Sequence, residues 1–227
     1  MKKKIYSGLI GWILVGCAPS ELRYEVQSVG PGEIVLDGKN EEESWRGIKR
    51  IVNFENSWNR SISPATSLQL CRDGEMLYFY FDVADEEVLL ENDFSTERDV
   101  EKEDRVELFL SKDSGMKEYY CFEIDAKGRA LTYAASHYRK MDYDWEAPEG
   151  FEVRTTSHSE GYSVEGKIPL SFIRDLLSDG VLFLGAYRAE FSKDGAETVE
   201  NWLTWVDPQT EAPDFHVPTS LGQVVFK

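Results

Sequence analysis

What most constrains this chain is a series of short segments in which apolar and polar residues alternate, each closed by a turn. Met76–Val83 is the clearest: Leu77, Phe79, Phe81 and Val83 alternate with Met76, Tyr78, Tyr80 and Asp82. A period of two puts one set on each face of an extended strand, so the segment reads as β rather than helix. Ser67–Cys71 precedes it across Arg72-Asp73-Gly74, and a Gly-containing turn between two such runs is a hairpin signal. Ile34–Leu36, ending at Asp37-Gly38, reads as an opening strand. Val106–Leu110, Tyr119–Ile124, Ala130–Ala134, Phe151–Thr155, Tyr162–Ile168, Leu182–Phe191 and Val224–Phe226 continue the series, with turns at Ala126-Lys127-Gly128 and Ser159-Glu160-Gly161. Only Pro169–Ser178 changes period: Leu170, Ile173, Leu176 and Leu177 fall at helical spacing, with Pro169 at the start and Gly180 past the end. The expected fold is all-β, an antiparallel β-sandwich of jelly-roll type with one short helix, in a single domain over 33–227.

Residues 1–16 read as a lipoprotein signal peptide. Lys2, Lys3 and Lys4 precede an apolar run from Ile5 to Gly16 that is shorter than the ~20 residues of a membrane-spanning helix. Leu14-Val15-Gly16-Cys17 resembles a bacterial lipobox, with Cys17 as the lipidated residue. Ala18, rather than Asp, follows it, which by resemblance to lipoprotein sorting implies the outer membrane. Residues 17–32, polar and containing Pro19, Pro31 and Gly32, read as the lipidated Cys and a tether. Cys71 and Cys121 lie in strand segments; an exported compartment permits a disulfide between them, and two buried free thiols are the alternative. No CxxC is present, which argues against a zinc ribbon.

With 42 acidic against 25 basic residues the formal charge is −17. Such a chain lacks the cationic face that nucleic acid or an anionic lipid surface requires, so membrane contact is expected through the lipid anchor only. The charged stretch 84–104, with Asp85, Glu86, Glu87, Asp93 and Asp99, offers oxygen ligands of the kind calcium takes, without EF-hand spacing; a solvated face is the bland reading. No other cofactor or metal is expected. GxSxG, P-loop, HExxH and dinucleotide glycine fingerprints are absent, and no carboxylate pair stands out among so many, so the protein is not expected to be an enzyme.

Several segments in order resemble a family 9 carbohydrate-binding module, within the DOMON-like sandwich group. Asp37-Gly38 followed by Trp45 resembles the family's opening strand and tryptophan. Leu77-Tyr78-Phe79 then Asp82–Asp85, and Asp104-Arg105-Val106-Glu107-Leu108-Phe109, resemble its next strands. Phe122-Glu123-Ile124 then Gly128, Glu165–Pro169, and Phe215-His216-Val217-Pro218 then Leu221-Gly222 complete the match. The resemblance implies a non-catalytic sandwich that holds sugar chain ends between two aromatic rings, sometimes with calcium. It places the first clamp ring at Val100-Glu101, the second at Phe215, and a family arginine at Glu123; the polar residue most plainly kept is Glu107.

A pyranose offers an apolar CH face to aromatic rings and hydroxyls to charged groups. Glu107 and Glu123 each alternate with apolar neighbours and so face away from them. Arg188 follows Leu182, Leu184 and Ala186 on one strand face and is expected to pair with Glu107 or Glu123. Trp145, in the polar loop 136–150 with Tyr138 and Tyr143, is the expected replacement ring; Trp205 is expected near Phe215. Trp45 and Trp58 read as packing, and His216 as a turn residue. His137 and Met141 are residue types that ligate haem in DOMON-like modules, but their Tyr- and Asp-rich surroundings argue against it. The expected function is capture of a glycan or oligosaccharide at the bacterial envelope, linked to polysaccharide catabolism. An envelope protein-interaction lipoprotein without a sugar site and a cryptic glycoside-active enzyme are the alternatives.

Overall fold

The computed structural model describes residues 22–59 and 64–227; the signal peptide, Cys17 and the start of the tether lie outside the described residues. Thirteen strands occur among the described residues. In chain order they are β1 (Arg23–Ser28), β2 (Arg50–Ile51), β3 (Thr66–Arg72), β4 (Met76–Ala84), β5 (Arg105–Ser111), β6 (Tyr119–Asp125), β7 (Ala130–Ser136) and β8 (Lys140–Asp142). β9 (Glu152–His158), β10 (Gly161–Pro169), β11 (Val181–Asp194), β12 (Glu197–Thr204) and β13 (Gly222–Phe226) follow. One layer runs β8-β7-β6-β5-β11-β13-β1 with β12 beside β11; the other runs β1-β3-β4-β10-β9 with β2 beside β3.

The two layers enclose the main core. Leu77, Phe79, Phe81 and Val83 of β4 meet Val106, Leu108 and Leu110 of β5 and Leu182, Leu184 and Ala186 of β11 across it, all at most 2% exposed. Burying such side chains stabilises by about 1.5–3 kcal/mol each before entropy is counted. Gly166 is needed here: a Cβ on it would stand 2.0 Å from Cζ of Phe79, its cross-strand partner, so the ring lies over bare backbone. The outer faces are covered too. On β4, Tyr78 and Tyr80 pack outward with Cys71 beneath Ile34, Trp45 and Ile48, while Phe109, Tyr119, Cys121 and Tyr187 form a third cluster outside the other layer.

Three expectations are corrected. The segment taken as tether enters the fold: β1 lies parallel to β13 through Arg23–Val26 and to β3 through Gln27–Ser28, joining the two layers. The sandwich is therefore mixed rather than purely antiparallel, and the fold includes residues before 33. Tyr24 and Val26 alternate with exposed neighbours, a pattern the surrounding polar, Pro- and Gly-containing sequence obscures. Second, Ile34–Leu36 is not a strand; it crosses the outside of the β3–β4 layer, where Ile34 is buried. Third, the expected helix is α2 (Leu170–Leu176), but a second, α1 (Glu43–Arg46), seats Trp45, and there are 3-10 turns at Glu97–Lys102 and Pro218–Ser220. Of the two readings left open for the cysteines, the free thiols hold: Cys71 and Cys121 are both buried and unpaired. Leu70 and Phe122 point between the layers, so their neighbours Cys71 and Cys121 point out of opposite faces. Packed sheets stand ~10 Å apart, beyond the ~7 Å Cα limit of a disulfide.

Burial pushes the carboxyls of Glu103, Asp104 and Glu165 up to about 7. A folded pKa above the unfolded one gives stability that is full below the unfolded value and is lost as pH rises through about 7. His216, lowered by burial to about 4, acts oppositely: its contribution is full above its ordinary value and is lost as pH falls through about 4. With Glu107, which burial raises as well, four carboxyls outweigh one histidine, so the melting temperature is expected to fall as pH is raised from about 5.5 to 8.5. Scanning calorimetry across that range checks this, and a melting temperature that climbs with pH contradicts it.

Candidate functional site

The outer face of the β5–β6–β7–β11–β12 layer forms the floor of a cavity of about 610 Å³. Its floor is set by strand register. Glu107 on β5 stands directly opposite Glu123 on β6 and opposite Tyr187 on β11. Like charges directly across a ladder repel. Arg105, two residues before Glu107 and so on the same face, resolves this: its Nε lies 2.9 Å from Glu107 Oε1 and 2.9 Å from Glu123 Oε2. One N–H cannot align with both oxygens, and neither makes a hydrogen bond of ordinary geometry. Arg105 also donates through Nη1 to the carbonyl of Glu101 at 3.0 Å, and its guanidinium lies 5.5 Å from the ring centre of Trp202. Tyr133 donates to Glu123 Oε1 at 2.7 Å.

All three charged groups are at least 94% buried. Burial first, then the Glu123 charge, holds the Glu107 carboxyl well above the usual carboxylate range despite Arg105. Burial, reinforced by Glu123, likewise raises the Tyr133 phenol. Burial works against the Arg105 charge, but Glu107 and Glu123 outweigh it and raise its pKa.

The walls are aromatic and charged. Arg98 lies over Tyr143, 4.2 Å from the ring centre, and pairs with Glu101 at 2.8 Å, to which the Tyr143 hydroxyl donates at 3.1 Å. On the far side Arg139 pairs with Asp214 at 2.8 Å, and Tyr138 donates to the same carboxylate at 2.6 Å. Asp214 also accepts from the His216 amide within the closing segment 213–216, which its pairing with Arg139 ties over the face. His216 Nδ1 meets the Tyr119 hydroxyl at 2.9 Å. Phe215 stacks on Tyr187 with ring centres 4.2 Å apart, and Trp202 meets its edge at 5.6 Å. Gly185 makes this possible, because a Cβ there would stand 2.0 Å from the Tyr187 hydroxyl folded back over it.

Of the residues expected at the site, Glu107, Glu123 and Phe215 line this cavity and Trp145, Arg188 and Trp205 do not. Phe215 is only 6% exposed, so it supports Trp202 more than it offers an open face. Trp145 packs against Tyr120 and Phe172 at the edge of the main core, away from the floor. Trp205 is 3% exposed between the layers, its ring over Gly222. Arg188 pairs with Asp85 at 2.9 Å and donates to the Ala84 carbonyl. Its direction was legible: it shares a strand face with Leu182, Leu184 and Ala186, the core face, whereas Glu107 lies opposite Tyr187 on the outer face. Strand alternation thus forbids the expected pairing. Arg105 was missed although it shares the outward face of Glu107; Trp202, Arg98 and Arg139 carry no local signal.

The acidic stretch is divided among separate tasks. Asp85 holds Arg188, while Asp99 accepts from the Ser95 and Thr96 amides and from Lys102. Among the described residues no group of three or more His, Cys, Asp or Glu side chains converges as a metal site.

The profile of the carbohydrate family 9 binding domain-like family matches residues 36–227. No curated protein matches. Among solved structures, the chain is similar to a family 9 carbohydrate binding module from Caldicellulosiruptor kristjanssonii in complex with cellotriose, at 19% identity and TM-score 0.64, over 90% of this chain and 93% of that one. The glucose complex of a family 9 module from the same organism matches at 21% identity and TM-score 0.63, over 90% and 95%. A protein from Bacteroides uniformis ATCC 8492, put forward as carbohydrate-binding, matches at 18% identity and TM-score 0.67, over 90% and 99%.

Proposed function

Because the chain belongs to the carbohydrate family 9 binding domain-like family, we propose that it captures a glycan or oligosaccharide, without catalysis, in the cavity above Glu107 and Glu123. The observation that carries this reading is the joining of half-buried Trp202 and exposed Tyr143 with a buried, charged floor in one cavity. Trp202 and Tyr143 offer π-faces to the CH face of a pyranose, and Glu107 and the arginines offer charge-assisted partners to its hydroxyls. The structural neighbours hold cellotriose and glucose. A glycosidase needs two carboxylates flanking the scissile bond. Here Glu107 and Glu123 are side by side on one sheet face and share one arginine, which supports binding rather than hydrolysis.

The lipobox ending at Cys17 supports anchoring of the domain at the bacterial outer membrane, where such capture would serve polysaccharide catabolism. A glycan array covering plant, host and microbial sugars, with and without calcium, tests the binding. Trp202→Ala is expected to weaken any hit by on the order of 2 kcal/mol, about thirtyfold, as for a buried aromatic anchor. Phe215→Ala is expected to weaken it less, through loss of support for Trp202. A blank array, or full affinity in Trp202→Ala, would overturn this placement and turn attention to an envelope protein partner.

A further inference from the structure

Charge at the cavity is unbalanced. Two of its three guanidinium groups are engaged at the walls, Arg98 by Glu101 and Arg139 by Asp214. Arg105 alone faces both Glu107 and Glu123, and Glu200 adds a carboxylate that makes no ion pair among the described residues. Glu107 is 2% exposed, yet its Oε1, 2.9 Å from Arg105 Nε, receives no hydrogen bond of ordinary geometry among the described residues. An acceptor so buried and so poorly satisfied favours a donor that brings its own positive charge.

Resting on the sugar-binding reading above, we infer that the cavity selects a cationic aminodeoxy sugar, its ammonium held against Glu107, and rejects uronate and sulfated sugars. An ammonium supplies three donors from a compact charge, where a hydroxyl supplies one. The same pyranose stacks on Trp202 and Tyr143 whichever substituent it carries, so discrimination comes from the floor. A carboxylate or sulfate there would meet Glu123 and Glu200 with Arg105 already shared. Like-charge contact of this kind is an effective means of rejection.

The test is calorimetric titration of the intact protein with matched oligosaccharides of one length in gluco and galacto series: amine-bearing, neutral, N-acetylated and uronate. The amine-bearing member of one series is expected to bind at least tenfold tighter than its neutral and N-acetylated counterparts, with no measurable uronate binding. In Glu107→Gln the preference is expected to collapse, and Glu123→Gln, which keeps a partner for Tyr133, is expected to reduce it. Neutral sugars bound as tightly as amine-bearing ones, or a uronate bound better, would overturn the inference while leaving the sugar reading intact. If no member of either series binds while the glycan array gives a hit, the inference falls and the sugar reading stands; a blank array as well overturns both. The comparison among ligands on the unaltered protein decides the matter even if a variant fails to fold.

Discussion

Arg105→Ala is expected to destabilise the protein by about 3–5 kcal/mol and to abolish glycan binding. The side chain lies between two carboxylates that are themselves at most 4% exposed. Removing it leaves two buried acids facing each other across neighbouring strands, with desolvation and mutual repulsion both uncompensated. It also removes the cation beneath Trp202 and the donor to the Glu101 carbonyl, so the wall carrying Glu101 and Arg98 loses its tie to the floor. Since domains are stable by only ~5–15 kcal/mol, the loss is large. Urea unfolding reads it as a lower midpoint at unchanged slope. Neutralising all three groups together, as Arg105→Met with Glu107→Gln and Glu123→Gln, is expected to recover much of the stability but none of the binding. Recovery of both would show the charges to be irrelevant to the ligand.

The second large effect lies on the opposite face. Glu165 accepts hydrogen bonds from the amides of Asp37 and Gly38, each at 2.9 Å, and from Trp45 Nε1 at 3.2 Å. With Gln69 donating to the Trp45 and Ile48 carbonyls and Ser163 to the Gly38 carbonyl, this carboxyl holds the segment that covers Cys71, Tyr78 and Tyr80. In Glu165→Ala two backbone amides and an indole lose their partner, and each buried orphan costs about 1–3 kcal/mol. A loss of about 2–4 kcal/mol is expected, after partial relaxation toward water. Glu165→Gln, which retains an acceptor oxygen, is expected to lose less. The damage is local, so Cys71 becomes reactive to a thiol reagent under native conditions while Cys121, under the other layer, stays protected. Sugar affinity is expected to be unchanged, in contrast to Arg105→Ala. Equal protection of both thiols in Glu165→Ala would argue against this role.

These residues show how far the sequence reaches. The Glu165–Pro169 segment was visible as a motif, but nothing near it indicated that its carboxyl holds residues 37–45. The outward direction of Glu107 and Glu123 followed from alternation with Val106, Leu108, Phe122 and Ile124. Alternation also fixes Arg105 outward and Arg188 inward, and the expected pairing of Arg188 with the glutamates overlooked that. Trp145 and Trp205 were placed by composition and nearness in sequence, which do not say which face a ring will cover. The strand Arg23–Ser28 carries its alternation in Tyr24 and Val26 alone, among residues that read as tether.

The sequence by itself determined the β class, the strand and turn positions over most of the chain, and which residues of each strand share a face. Those are local properties, imposed by backbone geometry within a few residues. Only the tertiary structure decided that β1 joins the two layers, that Cys71 and Cys121 lie on opposite faces, and that Pro213–His216 and Arg98–Glu101 wall in Glu107. Arg188 meets a partner 103 positions away and Trp45 one 120 positions away. Contacts at such separations depend on strand order, which is selected by the burial of the whole chain and written in no single segment.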